Sequence, residues 1–109
     1  MTAEILIGTE SVKMCGNAAT AIRFKGVFHQ DLLMSFSKMT ESNLDADIAK
    51  ELGFVMHLQA RGEDFNHVTF DDYCSWLERF EEQDFLQALP SIINLWMNTT
   101  KADVKAKKK

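Results

Sequence analysis

The residues of this chain that could do chemistry are three histidines, two cysteines and two pairs of neighbouring acids. A metal site would need several of these side chains at short, characteristic spacings. His29, His57 and His67 do not have such spacings with one another or with Cys15 and Cys74. The sequence therefore predicts no metal and no cofactor.

Simpler structural explanations account for the cysteines and the acids. Cys74 lies on the apolar face of a predicted helix, and a catalytic thiol would need a partner base that no pattern suggests. The pairs Asp71–Asp72 and Glu81–Glu82 suit predicted helix ends, where charge interacts with the helix dipole. The five glycines form no phosphate-binding loop. The chain is therefore not expected to be an enzyme.

Length and composition predict one globular domain. The chain has 109 residues, of which 46% are hydrophobic and 26% charged, close to an ordinary folded protein. With two cysteines, no signal peptide and no apolar run of the ~20 residues that span a bilayer, a cytoplasmic protein without membrane contact is expected.

The charge is divided unevenly along the chain. Residues 101–109 hold five lysines and one acid, which leaves seven basic and fifteen acidic residues in positions 1–100, a balance of −8. An acidic body repels phosphate backbones, so nucleic-acid binding by the folded part is disfavoured. Residues 101–109 lack apolar periodicity and are expected to form a disordered lysine-rich tail.

The first predicted element is a β-hairpin at about residues 4–15. Two short β-prone runs, Glu4–Ile7 and Ser11–Cys15, flank a turn that contains Gly8. Because a lone hairpin is barely stable in water, it must pack on the rest of the domain.

Helical periodicity follows the hairpin. Asn17 can cap a helix at about 18–27, and a second helix is expected at 30–39 after a kink or break within Gly26–Gln30. Large apolar side chains recur every four residues at Phe24, Phe28, Leu32 and Phe36. A polar loop at 40–43 leads to a third helix at about 44–60, which ends before Gly62.

A capping box predicts the start of the next helix. Thr69 is followed three residues later by Asp72, and Val68 and Tyr73 can form a hydrophobic staple. The predicted buried stripe comprises Phe70, Tyr73, Cys74, Leu77 and Phe80. Pro90 suits the first turn of a further helix, which carries Ile92, Ile93, Trp96 and Met97 on one face.

The predicted fold is a mainly α domain over residues 1–100, with about four to five helices and an N-terminal hairpin. Eight phenylalanines and six methionines are a large apolar complement for this length. Methionine is common on surfaces that bind varied apolar partners. Composition alone leaves two alternatives open, a binding module and a merely well-packed core.

Two stretches of the chain have a distinctive order of residue types. Residues 18–33 read AATAIRFKGVFHQDLL, with an alanine-threonine start, an arginine-aromatic pair and an aspartate-leucine-leucine. Residues 70–80 read FDDYCSWLERF, and residues 89–96 read LPSIINLW. In order and spacing, over nearly the whole chain, these residues resemble the family of tail assembly chaperones of siphophages that infect Gram-positive bacteria. Ala21, His29 and Ser91 depart from it, where the family often has proline, glycine and an acid.

The resemblance implies that the chain binds the tape measure protein, a long helical protein, and keeps it soluble while the tail tube assembles around it. Such chaperones are expected in the host cytoplasm and are usually absent from the mature virion. In a longer frameshifted form they also recruit the major tail tube protein, and Lys107–Lys109 fits a slippery codon run. Many copies, with self-association, would coat one tape measure protein.

Helix-in-groove docking is the expected mode of binding. The predicted contact surface is the apolar side of the last helices, at Phe85, Leu89, Ile93 and Trp96, although the same residues are natural core positions. Two other functions stay open. One is a head–tail or tail component retained in the virion, and the other is a small DNA-binding regulator, which the acidic body disfavours.

Overall fold

The computed structural model of the chain describes residues 1–39 and 45–108, with side chains through Thr99. It is 64% helical, with five α-helices and a two-stranded antiparallel hairpin in the described residues. This confirms the predicted fold class. The predicted loop at 40–43, and the start of the third helix at position 44, lie outside the described residues.

The hairpin pairs β1 (Thr2–Ile7) with β2 (Glu10–Cys15) in the register Ile5↔Val12. Gly8 takes φ 65 in the turn, a conformation that glycine adopts without steric cost. Alternate side chains point inward, so one face of the hairpin packs on the helices, with β1 against α5 and β2 against α3.

The five helices are α1 (Thr20–Phe28), α2 (Leu32–Ser37), α3 (Ala46–Arg61), α4 (Phe70–Leu77) and α5 (Glu82–Lys108). A short 3₁₀ turn, Phe65–His67, precedes α4. The break predicted within Gly26–Gln30 is confirmed and falls at His29, which has φ 58, while Gly26 stays inside α1. Asp31 then caps α2 by accepting a hydrogen bond from the Met34 backbone.

Two predicted helix boundaries are confirmed, the end of α3 and the start of α4. Gly62 ends α3 in the left-handed conformation, and Thr69 and Asp72 form the capping box of α4 with reciprocal hydrogen bonds of 3.2 and 3.0 Å.

Helix α5 differs from its prediction at both ends. It begins at Glu82 and runs through Pro90, which starts no new helix. Pro90 is exposed, so the Leu86 carbonyl that it leaves without an amide partner can be hydrated. The backbone of residues 101–108, predicted to be disordered, continues α5, and alanine and lysine are both good helix formers.

The core lies between the hairpin and α3 and α5. Its completely buried side chains are Met14, Phe24, Ala49, Leu52, Val55, Met56 and Ile92. A polar link joins three elements beside it: the Gln59 amide of α3 donates to the Cys15 carbonyl of β2 at 2.7 Å and to the Thr20 hydroxyl of α1 at 2.8 Å. Thr20 is completely buried, and this hydrogen bond satisfies its hydroxyl.

Candidate partner-docking site

The contact surface predicted from the sequence is mostly core. Phe85, Leu89 and Trp96 are 2%, 5% and 7% exposed, and Ile93 is partly buried. These side chains form the stripe of α5 that packs against the hairpin and the other helices. In this conformation the surface is not accessible to a partner, because the domain itself covers it.

Exposed apolar side chains occur elsewhere. Leu33 and Met34 of α2 are 62% and 59% exposed, and Phe70, the first residue of α4, is 71% exposed. The sequence placed Phe70 in the buried stripe of α4, and this prediction is wrong. Of the other members of that stripe, Tyr73 is buried and Cys74, Leu77 and Phe80 are partly buried, whereas Phe70 is exposed.

A cleft of about 490 Å³ lies between α3 and α4, and we call it the α3–α4 cleft. Its lining combines acidic and apolar side chains: Gln30, Asp45, Asp47, Ile48, Lys50, Glu51, Phe70, Tyr73, Cys74 and Leu77. A second cavity of about 590 Å³ beside α2 shares Gln30, Asp45 and Ile48 with it. The cleft therefore continues toward the exposed side chains of α2.

Helix caps position the two walls of the cleft. Asp45 accepts hydrogen bonds from the backbones of Asp47 and Ile48 at 3.0 and 3.2 Å, which fixes the start of α3. The capping box at Thr69 fixes the start of α4, and with it the position of Phe70. Capping hydrogen bonds therefore fix the helix starts that position the acids of α3 and the aromatic ring of α4.

The carboxylates of the cleft have little compensating positive charge. Lys50 is the one basic side chain in the described lining, and it donates to both carboxylate oxygens of Glu82 at 2.6 and 2.7 Å. Its charge is therefore already engaged, and among the described residues no salt bridge is formed by Asp45, Asp47 or Glu51.

Glu51 is the most perturbed group of the cleft. Burial, followed by the charges of Asp47 and Asp45, raises the pKa of its carboxyl to about 7. Its Oε1 is buried and has no hydrogen-bond partner in the described structure. Burial, with the charge of Glu51 next, also raises the pKa of Tyr73. The site therefore favours a proton or an added cation.

The sequence pattern around Glu51 carries a signal for its unusual environment. Glu51 stands three residues after Ile48 and four before Val55, on the apolar stripe of α3. An acid at such a position must be desolvated or must line a cavity. No comparable signal marks Phe70, because its exposure depends on how α4 is rotated in the fold.

The remaining polar residues do not converge. His29 and His67 are exposed, and Cys15 and Cys74 are free thiols. His57 stacks on Trp76 with 5.6 Å between ring centroids, and its Nδ1 lies 3.0 Å from the Lys13 carbonyl oxygen. Within residues 1–39 and 45–108, no group of three histidine, cysteine or acidic side chains could hold a metal ion.

The chain matches no protein-family model, no curated protein and no solved structure. Within the described part of the chain, none of the helices combines the length and the apolar character that crossing a bilayer requires.

Proposed function

We propose that this protein is a tail assembly chaperone that binds a phage tape measure protein in the host cytoplasm and keeps it soluble until the tail tube assembles around it. The observation that carries the proposal is the resemblance of residues 18–33 and 70–96 to that family. The small helical domain is compatible with a role in binding rather than catalysis.

Physical chemistry supports the same role. A long amphipathic helix without its partner exposes an apolar stripe and tends to aggregate. Positions 1–100 carry a balance of −8, so several copies bound along such a helix would repel other coated helices. Exposed apolar side chains at Leu33, Met34 and Phe70 supply contact area for the stripe. Modest affinity at each site, multiplied over many copies, allows release when the tube forms.

Co-expression with the tape measure protein from the same phage tests the proposal. We expect the tape measure protein to be soluble with the chaperone and insoluble alone, in a complex whose mass corresponds to several chaperone copies. Mass spectrometry of purified virions should find the tape measure protein and not this chain. Equal solubility in both cultures, or a chain retained in the virion, would contradict the proposal.

A further inference from the structure

We propose that the α3–α4 cleft is the docking site for a partner helix in which one lysine or arginine is flanked by apolar side chains. This inference rests on the proposed function for the identity of the partner. Its chemistry rests on the cleft, where carboxylates that form no salt bridge with the described residues lie on the same lining as an exposed aromatic side chain.

A cation from outside the domain would stabilise the acidic lining. Asp45, Asp47 and Glu51 share the cleft, and the one basic lining residue of the described structure is already paired with Glu82. The Glu51 Oε1 is buried without a hydrogen-bond partner, and such an atom is stabilised when a donor reaches it. A lysine or arginine head supplies that donor and offsets the repulsion among the acids.

The apolar lining requires that the cation have an apolar stem and apolar neighbours. Ile48, Tyr73 and Leu77 line the cleft around the acids, and Phe70 is 71% exposed. The long methylene stems of lysine and arginine pack on such surfaces while their charged heads reach polar groups. Apolar residues one helical turn from the cation would then cover Phe70.

The chain's own lysine-rich segment cannot fill this cleft in the same molecule. Lys50 in the cleft bonds to Glu82 at the first turn of α5, whereas residues 101–108 form the opposite end of that helix. A helix of this length extends about 40 Å, so the two ends stand far apart. This segment of the same molecule is therefore not the occupant, and we assign the cleft to a separate chain.

Two synthetic helical peptides make direct probes. One carries a single lysine with leucines four residues before and after it, and the other has glutamine in place of that lysine. Titration into the full-length protein should give binding of the lysine peptide about tenfold tighter than that of the glutamine peptide. The difference should shrink as salt is added.

Paired variants locate the binding. D47N/E51Q removes two carboxylates from the cleft, and E4Q/E78Q removes two exposed carboxylates outside its lining. Each pair replaces two carboxyl groups with amides, and at pH 8, above the pKa of about 7 that Glu51 has in the folded protein, the two pairs remove nearly the same negative charge. We expect the first pair to lose about tenfold in affinity for the lysine peptide and to fail to solubilise the tape measure protein, and the second pair to behave as wild type. F70S should weaken both peptides. Circular dichroism checks that each variant is folded.

Equal loss in the two pairs, or no loss in either, would overturn the docking site even if the wild-type protein solubilises the tape measure protein. An insoluble tape measure protein together with cleft-dependent binding of the lysine peptide would overturn the proposed function and retain the site. If the wild type instead self-associates, and both D47N/E51Q and deletion of residues 101–109 abolish this, the occupant is a second copy and the proposal fails.

Discussion

The hairpin side of the domain and the α3–α4 cleft differ in what fills them. On the hairpin side, Met14, Phe24 and Ile92 are completely buried, and the buried Thr20 hydroxyl is hydrogen-bonded. At the cleft, an aromatic ring stands in solvent, and a partly buried carboxyl has a pKa raised to about 7.

This difference shows that some residues of the chain stabilise the fold by packing and others do not. Complete burial of apolar side chains stabilises the fold, and the hairpin side achieves it. An exposed Phe70 and an unpaired Glu51 oxygen do not stabilise the fold. The two regions should therefore respond in opposite ways to substitution, with large losses of stability on the packed side and small changes or gains at the cleft.

The largest loss is expected for Trp76→Ala. Trp76 is 6% exposed and lies 5.3 to 5.6 Å, between ring centroids, from Phe54, Phe80 and Phe85. Removing a buried ring of this size costs about 3–5 kcal/mol in the free energy of unfolding. Phe80 is only partly buried, so Phe80→Ala should cost less. Urea denaturation measures both, and a wild-type midpoint for Trp76→Ala would contradict the burial.

Gly16→Ala should be the next most damaging change. A Cβ at this buried position would lie 2.5 Å from the Thr99 hydroxyl oxygen and 3.4 Å from the Met56 sulfur. Thr99 is buried and its hydroxyl donates to the Leu95 carbonyl, so it cannot move freely. We expect a loss of about 1–3 kcal/mol. Gly26→Ala is the control, because a Cβ there meets nothing within 4 Å.

Thr69→Ala should cost about 1 kcal/mol, because it removes the side-chain half of the capping box at the start of α4. Ser75→Ala removes an exposed hydroxyl from the same helix and should leave the melting temperature nearly unchanged. Equal effects of the two variants would show that the capping hydrogen bond contributes nothing.

Glu51→Gln should stabilise the protein at pH 8 by about 1 kcal/mol, a figure reduced for solvent screening because Glu51 is only partly buried. Between the ordinary pKa of 4.5 and the folded value of about 7, the folded protein binds a proton that the unfolded chain has released. This bound proton stabilises the folded wild type, and the stabilisation is lost as the pH rises through about 7. The facing groups Tyr73, Cys74 and Lys50 remain in the variant.

Melting temperatures across pH 4 to 8 test this expectation. The stability gained by Glu51→Gln should vanish below pH 4.5, the ordinary pKa of the carboxyl, because Glu51 is then protonated in both the folded and the unfolded protein. Glu78→Gln, which neutralises an exposed carboxylate outside the cleft, is the matched control. A pH-independent difference between wild type and Glu51→Gln would rule out the titration of Glu51 as its cause.

The smallest effect on stability is expected for Phe70→Ala, within about 0.5 kcal/mol, because the ring is mostly in solvent. Its edge lies near Tyr73, with 6.3 Å between ring centroids, and this contact is easily replaced by water. Equilibrium unfolding measures the change. A loss approaching that of Trp76→Ala would show that Phe70 belongs to the packed region.

Local rules in the sequence predicted much of the fold. The hairpin, the end of α3 at Gly62 and the capping box at Thr69 depend on neighbouring residues, and all three are confirmed. The inward spacing of Phe24 and Leu32 also holds, even though a break at His29 divides them between two helices.

The features that the sequence did not predict depend on how the helices pack against one another. Pro90 lies inside α5 because that side of the helix faces solvent, and this depends on the position of α5 in the fold. For the same reason the spacing of Phe85, Leu89 and Trp96 identified an apolar stripe but not whether the domain or a partner covers it. The cleft brings Glu51 of α3 beside Phe70 of α4, a proximity that no spacing along the chain encodes.

Pro90 also divides α5 into two segments that can open separately. The Leu86 carbonyl receives no amide from Pro90, so the hydrogen-bond ladder is interrupted near the middle of the contacts that α5 makes. Before the proline, Phe85 packs against the rings of Trp76 and Phe80, whereas after it Leu95 shares a surface groove with Ile5 of the hairpin. Native-state hydrogen exchange should therefore resolve two protection levels along one helix, with each half exchanging together with the element against which it packs.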